Sequence, residues 1–267
     1  MNRISQKFDH LARNGEKALI PYVTPDFPFS GITVPLLSEL EQHGADLIEL
    51  GIPFSDPLAD GPTIQRSSEI SIKNGARIPT ILESVREFRK TGSVPILLMG
   101  YMNPIHCFGI ERFVNECAAA GVDGLIVPDL PPEEASALQH ASSGAGISNV
   151  FLIAPTTTED RIQKIDSHST DFSYCVSVTG VTGARTQLGE NGTFDGFLER
   201  VKKNVKKKFV VGFGISTSAQ VRHVWRFADG AVVGSALLSH IGKASSSREA
   251  VAAAGIFLTS LRPTPAR

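Results

Sequence analysis

The residues best suited to chemistry lie in one stretch, LIELGIPFSDPLADGPTIQ, from Leu47 to Gln65. Glu49 interrupts an otherwise apolar run. Side chains alternate along a strand, so Leu47, Glu49 and Gly51 share one face and Ile48 and Leu50 the other. A carboxyl on the inner face of such a strand loses water, and its pKa rises towards the range where it both gives and takes protons. A hydrogen-bonded structural glutamate is the alternative. Asp56 and Asp60 follow in a segment where Pro53, Pro57, Gly61 and Pro62 exclude regular structure. A returning loop there brings Asp60 and Glu49 over one pocket. Each aspartate suits a turn or a helix cap equally well.

A second group of residues is rich in glycine. SVTGVTGAR carries Gly180 and Gly183, GFGISTS carries Gly212 and Gly214, and VVGSALL carries Gly234 and Ser235. Each follows a β-branched run. Glycine lets a ligand approach the backbone, and the helix start beyond it points free N–H groups at an anion. Each motif alone is also what an ordinary tight turn needs; the three in register point to a phosphate. Tyr22, Tyr101, Tyr174 and Phe213 stand near the ends of apolar runs, where they serve as flat pocket walls or as plain core.

These groups need a scaffold that gathers strand ends. Eight short apolar runs read as strands: 18–24, 46–51, 94–101, 124–127, 149–154, 172–178, 209–212 and 231–234. Most are continuous in Leu, Ile and Val, which suits parallel strands buried on both faces. Segments with helical periodicity lie between and after them, at 30–43, 80–90, 111–120, 132–140, 159–166, 194–205, 218–227 and 248–261. Eight strand–helix units predict one (β/α)₈ barrel over residues 1–267. An extra N-terminal helix with Ile4, Phe8 and Leu11 closes its bottom, and residues 63–72 form an insertion after strand two. An open doubly wound sheet is the runner-up. It lacks a Gly-rich dinucleotide fingerprint after the first strand.

Composition excludes several other classes. Lys plus Arg number 26 against 27 Asp plus Glu, which argues against a nucleic-acid binder that relies on a basic surface and gives no polybasic membrane anchor. The lysine run at 201–209 suits a solvated helix C-terminus. Three cysteines, with no C-x-x-C, disfavour a disulfide framework or a Cys-rich zinc site. No His cluster has ligand spacing, so no metal is expected. No apolar run reaches the roughly 20 residues of a membrane span. The polar N-terminal stretch has no apolar core of a signal peptide. The expectation is a soluble cytoplasmic protein.

The stretch L-E-L-G-I-P-F-S-D-P-L-A-D-G resembles, at every position, the signature of the tryptophan synthase alpha subunit family. The resemblance extends over nearly the whole chain, through LIPYVT from Leu19, YMNPI from Tyr101, DLPPEE from Asp129, SVTGVTGAR from Ser177 and GFGIS from Gly212. It implies a (β/α)₈-barrel lyase that cleaves indole-3-glycerol phosphate into indole and glyceraldehyde 3-phosphate. It implies no cofactor in this chain, and a partner beta subunit that uses pyridoxal phosphate within an alpha2-beta2 tetramer. Glu49 then falls at the catalytic acid/base and Asp60 at the second carboxylate. Tyr22, Tyr101, Tyr174 and Phe213 fall at pocket positions for the indole, and Gly183, Gly214, Gly234 and Ser235 at phosphate contacts. Thr182 falls in a lid. Asp56, Pro57, Asn103, Asp129 and Pro131 fall on the rim that faces the beta subunit. One departure stands in the loop after the first strand, where the family's A-G-D-P is replaced by Pro25-Asp26-Phe27-Pro28. Arg185 is left between an ion pair and solvent. Two rival readings remain: a catalytically weak regulatory subunit, and a different phosphate-binding barrel such as an isomerase.

Overall fold

The computed structural model describes residues 2–176, 193–212 and 214–263. The strands are β1 (Ala18–Val23), β2 (Ile48–Gly51), β3 (Ile96–Met99), β4 (Gly124–Ile126), β5 (Ser148–Val150), β6 (Leu152–Ile153), β7 (Phe172–Val176), β8 (Lys208–Gly212) and β9 (Gly230–Val233). All pair in parallel, in the order β5-β4-β3-β2-β1-β9-β8-β7-β6. The two ends of that order, β5 and β6, flank the single residue Phe151. Its carbonyl accepts the Tyr174 N–H at 3.0 Å. They are therefore one strand broken at Phe151, and the sheet closes as an eight-stranded barrel. The predicted fifth strand, 149–154, is this broken element. Its break comes from tertiary closure, which the apolar run does not encode.

Helices alternate with the strands as the periodicity requires. They are α1 (Arg3–Arg13), α2 (Thr33–Gln42), α3 (Pro62–Lys73), α4 (Ile78–Phe88), α5 (Met102–Phe108), α6 (Ile110–Ala120), α7 (Ser136–Ala145), α8 (Glu159–His168), α9 (Thr193–Asn204), α10 (Ser218–Val224), α11 (Ser235–Ile241) and α12 (Ser247–Leu261). The predicted N-terminal helix is α1, and the insertion after strand two is α3. Two helices were not predicted, α5 and α11, each of seven residues. Two turns of helix are too short to display a periodic apolar stripe. The predicted 132–140 helix starts later, at Ser136, because Pro131 and Pro132 sit in a turn closed by the Glu134 N–H to the Pro131 carbonyl.

The floor of the barrel is packed and ionically tied. Helix α1 lays Ile4, Phe8 and Leu11 across it, with the Phe8 ring 5.4 Å from that of Phe172. An aspartate precedes several strands and accepts an N–H at the start of a neighbouring one. Asp46 takes the Leu19 N–H at 2.9 Å, Asp123 the Ile96 N–H at 2.8 Å and Asp229 the Phe209 N–H at 3.2 Å. Each also pairs with a cation: Asp46 with Arg262, Asp123 with Arg3 and Arg89, and Asp229 with Lys17. Asp123 is the most enclosed of these ion pairs. Asp123→Ala strands the Arg89 guanidinium and a buried N–H, a loss expected to cost on the order of 3 kcal/mol. A denaturant midpoint unchanged from the parent protein would show that the floor does not depend on this pair.

Candidate active site

The C-terminal ends of the strands form the opposite face, where barrel proteins keep their reactive groups. β2 carries Glu49 there because its inner face alternates Leu47, Glu49 and Gly51. Glu49 is 0% exposed, and neither carboxyl oxygen has a hydrogen-bond partner among the described residues. Burial pushes its pKa up to about 8. Asp60 sits in the loop between β2 and α3 and is 7% exposed. Burial raises its pKa to about 6, with the Tyr101 hydroxyl pulling the other way by hydrogen-bonding the charged form. The same hydroxyl accepts the Ala59 N–H at 3.0 Å, and the Gln65 amide donates to the Asp60 carbonyl at 2.9 Å. The loop is thus held from both sides. The two carboxyls act on the same neighbours: the phenols of Tyr22 and Tyr174 each feel the charge of both Glu49 and Asp60.

Glycines make the room. Tyr22 of β1 is the register partner of Glu49 on β2, and its ring leans two residues further, over Gly51. A Cβ at Gly51 would lie 2.4 Å from the Tyr22 hydroxyl oxygen. β7 and β8 repeat the device. Tyr174 is the partner of Val210, and a Cβ at Gly212 would lie 1.9 Å from the Tyr174 oxygen. Two phenols therefore cross the barrel mouth only because residues 51 and 212 have no side chain. Tyr101, after β3, stacks obliquely on Phe54 with ring centroids 5.6 Å apart. Tyr22, Tyr101 and Tyr174 are all buried.

On the other side of the mouth lie the loops after β8 and β9. Gly214 has φ +81°, a conformation that glycine adopts without strain, and a Cβ there would meet nothing within 4 Å. Gly234 caps α11 with no side-chain hydrogen bond to the first turn. Gly234 and Ser235 are half-buried. The backbone N–H groups of this short helix start are available to an anion. Thr182, Gly183, Phe213, Gly180 and Arg185 lie outside the described residues. Among the described residues, no group of three or more His, Cys, Asp or Glu is placed to hold a metal ion.

The rim residues are arranged unequally. Asp56, Asn103 and Asp129 are exposed, Pro131 is half-buried and Pro57 is buried. Leu58, which the sequence reading did not single out, is 87% exposed. Asp129 accepts the Met102 N–H at 2.9 Å, so it anchors the start of α5, the helix that carries Asn103. The departing loop at 25–28 is tied down too. The Thr33 hydroxyl donates to the Asp26 carboxylate at 3.0 Å, and the Asn74 amide donates to the Asp26 carbonyl at 2.7 Å. Phe27 is buried.

Two buried carboxyls with separated pKa values at the mouth of a (β/α)₈ barrel form the kind of arrangement that proton-transferring barrel enzymes use. The comparisons make that class specific. The profile of the family described as "Tryptophan synthase alpha chain" matches residues 8–261. A tryptophan synthase alpha chain from Pelodictyon phaeoclathratiforme is 48% identical over 269 residues, covering 98% of this chain and 99% of that one. The crystal structure of tryptophan synthase subunit alpha from Legionella pneumophila matches with a TM-score of 0.89 at 37% identity, covering 98% of this chain and 97% of that chain. A structure of the tryptophan synthase a2b2 complex from Pyrococcus furiosus matches with a TM-score of 0.85 at 42% identity, covering 91% and 97%. This chain belongs to the tryptophan synthase alpha chain family, a family of lyase-type enzymes. Among the described residues, no helix is long and apolar enough to cross a membrane.

The raised pKa of Glu49 also fixes how stability depends on pH. Between pH 4.5 and about 8 the folded protein keeps a proton on Glu49 that the unfolded chain has released. Stability therefore falls as pH rises through that window. Glu49→Gln removes the titration. Its stability advantage over the parent is expected to grow from near zero at the acid end to roughly 5 kcal/mol at the alkaline end. Urea unfolding of both proteins at several pH values measures it, and parallel pH curves would refute a neutral, buried Glu49.

Proposed function

We propose that this chain cleaves indole-3-glycerol phosphate to indole and glyceraldehyde 3-phosphate by a retro-aldol reaction. The observation that carries the proposal is the unpartnered, fully buried carboxyl of Glu49 beside a second carboxyl of lower pKa. At neutral pH Glu49 holds its proton and Asp60 is mostly ionised. Glu49 protonates C3 of the indole, which turns the ring into an electron-accepting indolenine. Asp60 meets the positive charge that develops at the indole N–H. As the carbon–carbon bond breaks, Glu49 takes the proton of the glycerol hydroxyl that becomes the aldehyde. One group thus serves as acid and then as base, provided that it reaches both positions. The phenols of Tyr22, Tyr101 and Tyr174 wall the indole. The loops at Gly214 and at Gly234–Ser235 hold the phosphate through backbone N–H groups. Carboxyl and backbone groups of this chain suffice for these steps, and pyridoxal phosphate chemistry is assigned to a separate beta subunit. The proposed setting is the cytoplasm.

The partner reading rests on the exposed rim. Leu58 offers a large apolar side chain in the same loop as Asp60, so a beta subunit that covers this loop also fixes the carboxylate at 60. Ordering the loop in advance removes an entropy cost from each turnover.

Indole release from indole-3-glycerol phosphate tests the function. The kcat/KM profile is expected to be bell-shaped, rising as Asp60 ionises near pH 6 and falling as Glu49 loses its proton near pH 8. Glu49→Gln is expected to lose a factor of about 10²–10⁴ or more in rate while keeping its fold. Tyr101→Phe removes the bond that holds the Asp60 pKa down, so its acid limb moves to higher pH. Near-normal turnover by Glu49→Gln would end the assignment. In a beta-subunit titration, Asp56→Ala should lose activation by the partner while keeping the activity of the lone chain; equal activation of both proteins would remove this loop as the coupling element.

A further inference from the structure

The hydroxyl of Tyr22 has no part in the scheme above. It occupies the space that a side chain on Gly51 would fill, 2.4 Å from where that Cβ would be. Gly51 and Glu49 share the inner face of β2, two residues and about 6.6 Å apart along the strand. A glutamate side chain extended up the strand covers most of that distance. Carboxyl and phenol can meet by side-chain rotation alone. In this structure they feel one another's charge without a hydrogen bond.

Behind the phenol lies a row of buried hydroxyls. Tyr22 hydrogen-bonds the side chain of Thr24, the next residue on the same side of the chain. Thr24 Oγ1 lies 2.7 Å from Ser67 Oγ, with either able to donate, and both residues are 0% exposed. Ser67 Oγ donates to the Ile64 carbonyl at 2.8 Å. Ile64 belongs to α3, where its carbonyl also has the helical N–H four residues on. It therefore tolerates losing the Ser67 proton. Every hydroxyl in the row can donate in either direction.

We propose that Tyr22 is a positioning residue that follows Glu49 through its two protonation states, and that Thr24 and Ser67 set which way its hydroxyl points. The inference rests on the indole-releasing reading of the site. While Glu49 is an acid it donates to the Tyr22 oxygen, Tyr22 to Thr24, Thr24 to Ser67 and Ser67 to the Ile64 carbonyl. Once Glu49 has given its proton to indole C3, the row turns. Ser67 then donates to Thr24, Thr24 to Tyr22 and Tyr22 to the carboxylate. When Glu49 takes the glycerol hydroxyl proton, the row turns back. Only O–H bonds rotate, and no proton leaves its oxygen. Burial holds the phenol pKa far above its ordinary value, so Tyr22 stays a donor and never competes as a base.

Among the described residues, the titratable groups that face Tyr22 and Glu49 are Asp60 from the loop after β2, Tyr101 from the end of β3 and Tyr174 from β7. The strand ends of β8 and β9 present Gly212 and Gly234 to these rings, and α3 presents Ser67. No cation is among them. A carboxylate formed here needs a neutral donor that is already in place.

The test is indole release measured across the pH bell for the parent protein, Tyr22→Phe, Thr24→Val and Thr24→Ser. Tyr22→Phe keeps the ring. It is expected to lower kcat roughly tenfold with KM within about twofold, and to move the alkaline limb up by about one pH unit, because ionised Glu49 has lost its donor. Thr24→Val should act in the same direction, and Thr24→Ser, which restores the hydroxyl, should return towards the parent profile. An unmoved alkaline limb in Tyr22→Phe, or Thr24→Ser as impaired as Thr24→Val, would overturn this inference alone. A parent protein that releases no indole would overturn the functional reading and this inference with it.

Discussion

A carboxylic acid kept out of water at the barrel mouth sets the terms for everything around it. An ionised Glu49 with no partner costs several kcal/mol in such a place, so the group stays protonated where an ordinary carboxyl would not. The surrounding residues preserve that state. Among the described residues, phenols rather than cations face it, and glycines at 51 and 212 let the phenols come close. A lysine or arginine in their place would pull the carboxyl back to an ordinary anion and remove its ability to donate.

The two faces of the barrel treat the same functional group in opposite ways. At the floor, Asp46, Asp123 and Asp229 precede strands, accept backbone N–H groups and are matched by arginines or lysines. At the mouth, Glu49 and Asp60 have no such cations among the described residues, and burial raises both pKa values. Charge pairing keeps the floor carboxylates ionised. Burial without it lets the carboxyls at the mouth hold protons. The difference between about 8 and about 6 divides the mouth again, into a group that carries a proton at neutral pH and one that mostly does not.

Much of this was legible in the sequence because it depends on local periodicity. A glutamate inside a strand of Leu and Ile is visible by alternation alone, and the same alternation put Gly51 on its face. The eight strand–helix units and the helix over the floor follow from apolar spacing. What stayed hidden depends on contacts between distant segments. The break at Phe151 arises from ring closure. The short helices α5 and α11 carry too few turns to show a stripe. The rim was read in this loop from Asp56 and Pro57; Asp56 is exposed, Pro57 is buried, and the large apolar side chain that reaches solvent is Leu58. Thr24 and Ser67 are 43 residues apart and individually ordinary; only the approach of α3 to the residues that follow β1 joins them. Thr182, Gly183 and Phe213, which the resemblance implies for a lid, a phosphate contact and the indole pocket, lie outside the described part of the chain.

Helix α3 has an unusual inner face. The residues that it buries are Ile64, Ser67, Ser68 and Ser71, small hydroxyls where a barrel helix normally shows leucine or valine. Hydrogen bonds take over the anchoring: Ser67 to Thr24, Ser71 to the Pro25 carbonyl, and Asn74 to the carbonyls of Asp26 and Pro28. Greasy packing is forgiving about angle and register, whereas directional bonds are not. The helix is keyed rather than glued. It has one seat, and slipping by a turn breaks every tooth of the key at once, with little apolar area to hold an intermediate position. The loop that carries Asp60 leads directly into this helix, so its carboxylate inherits a location that is either correct or lost.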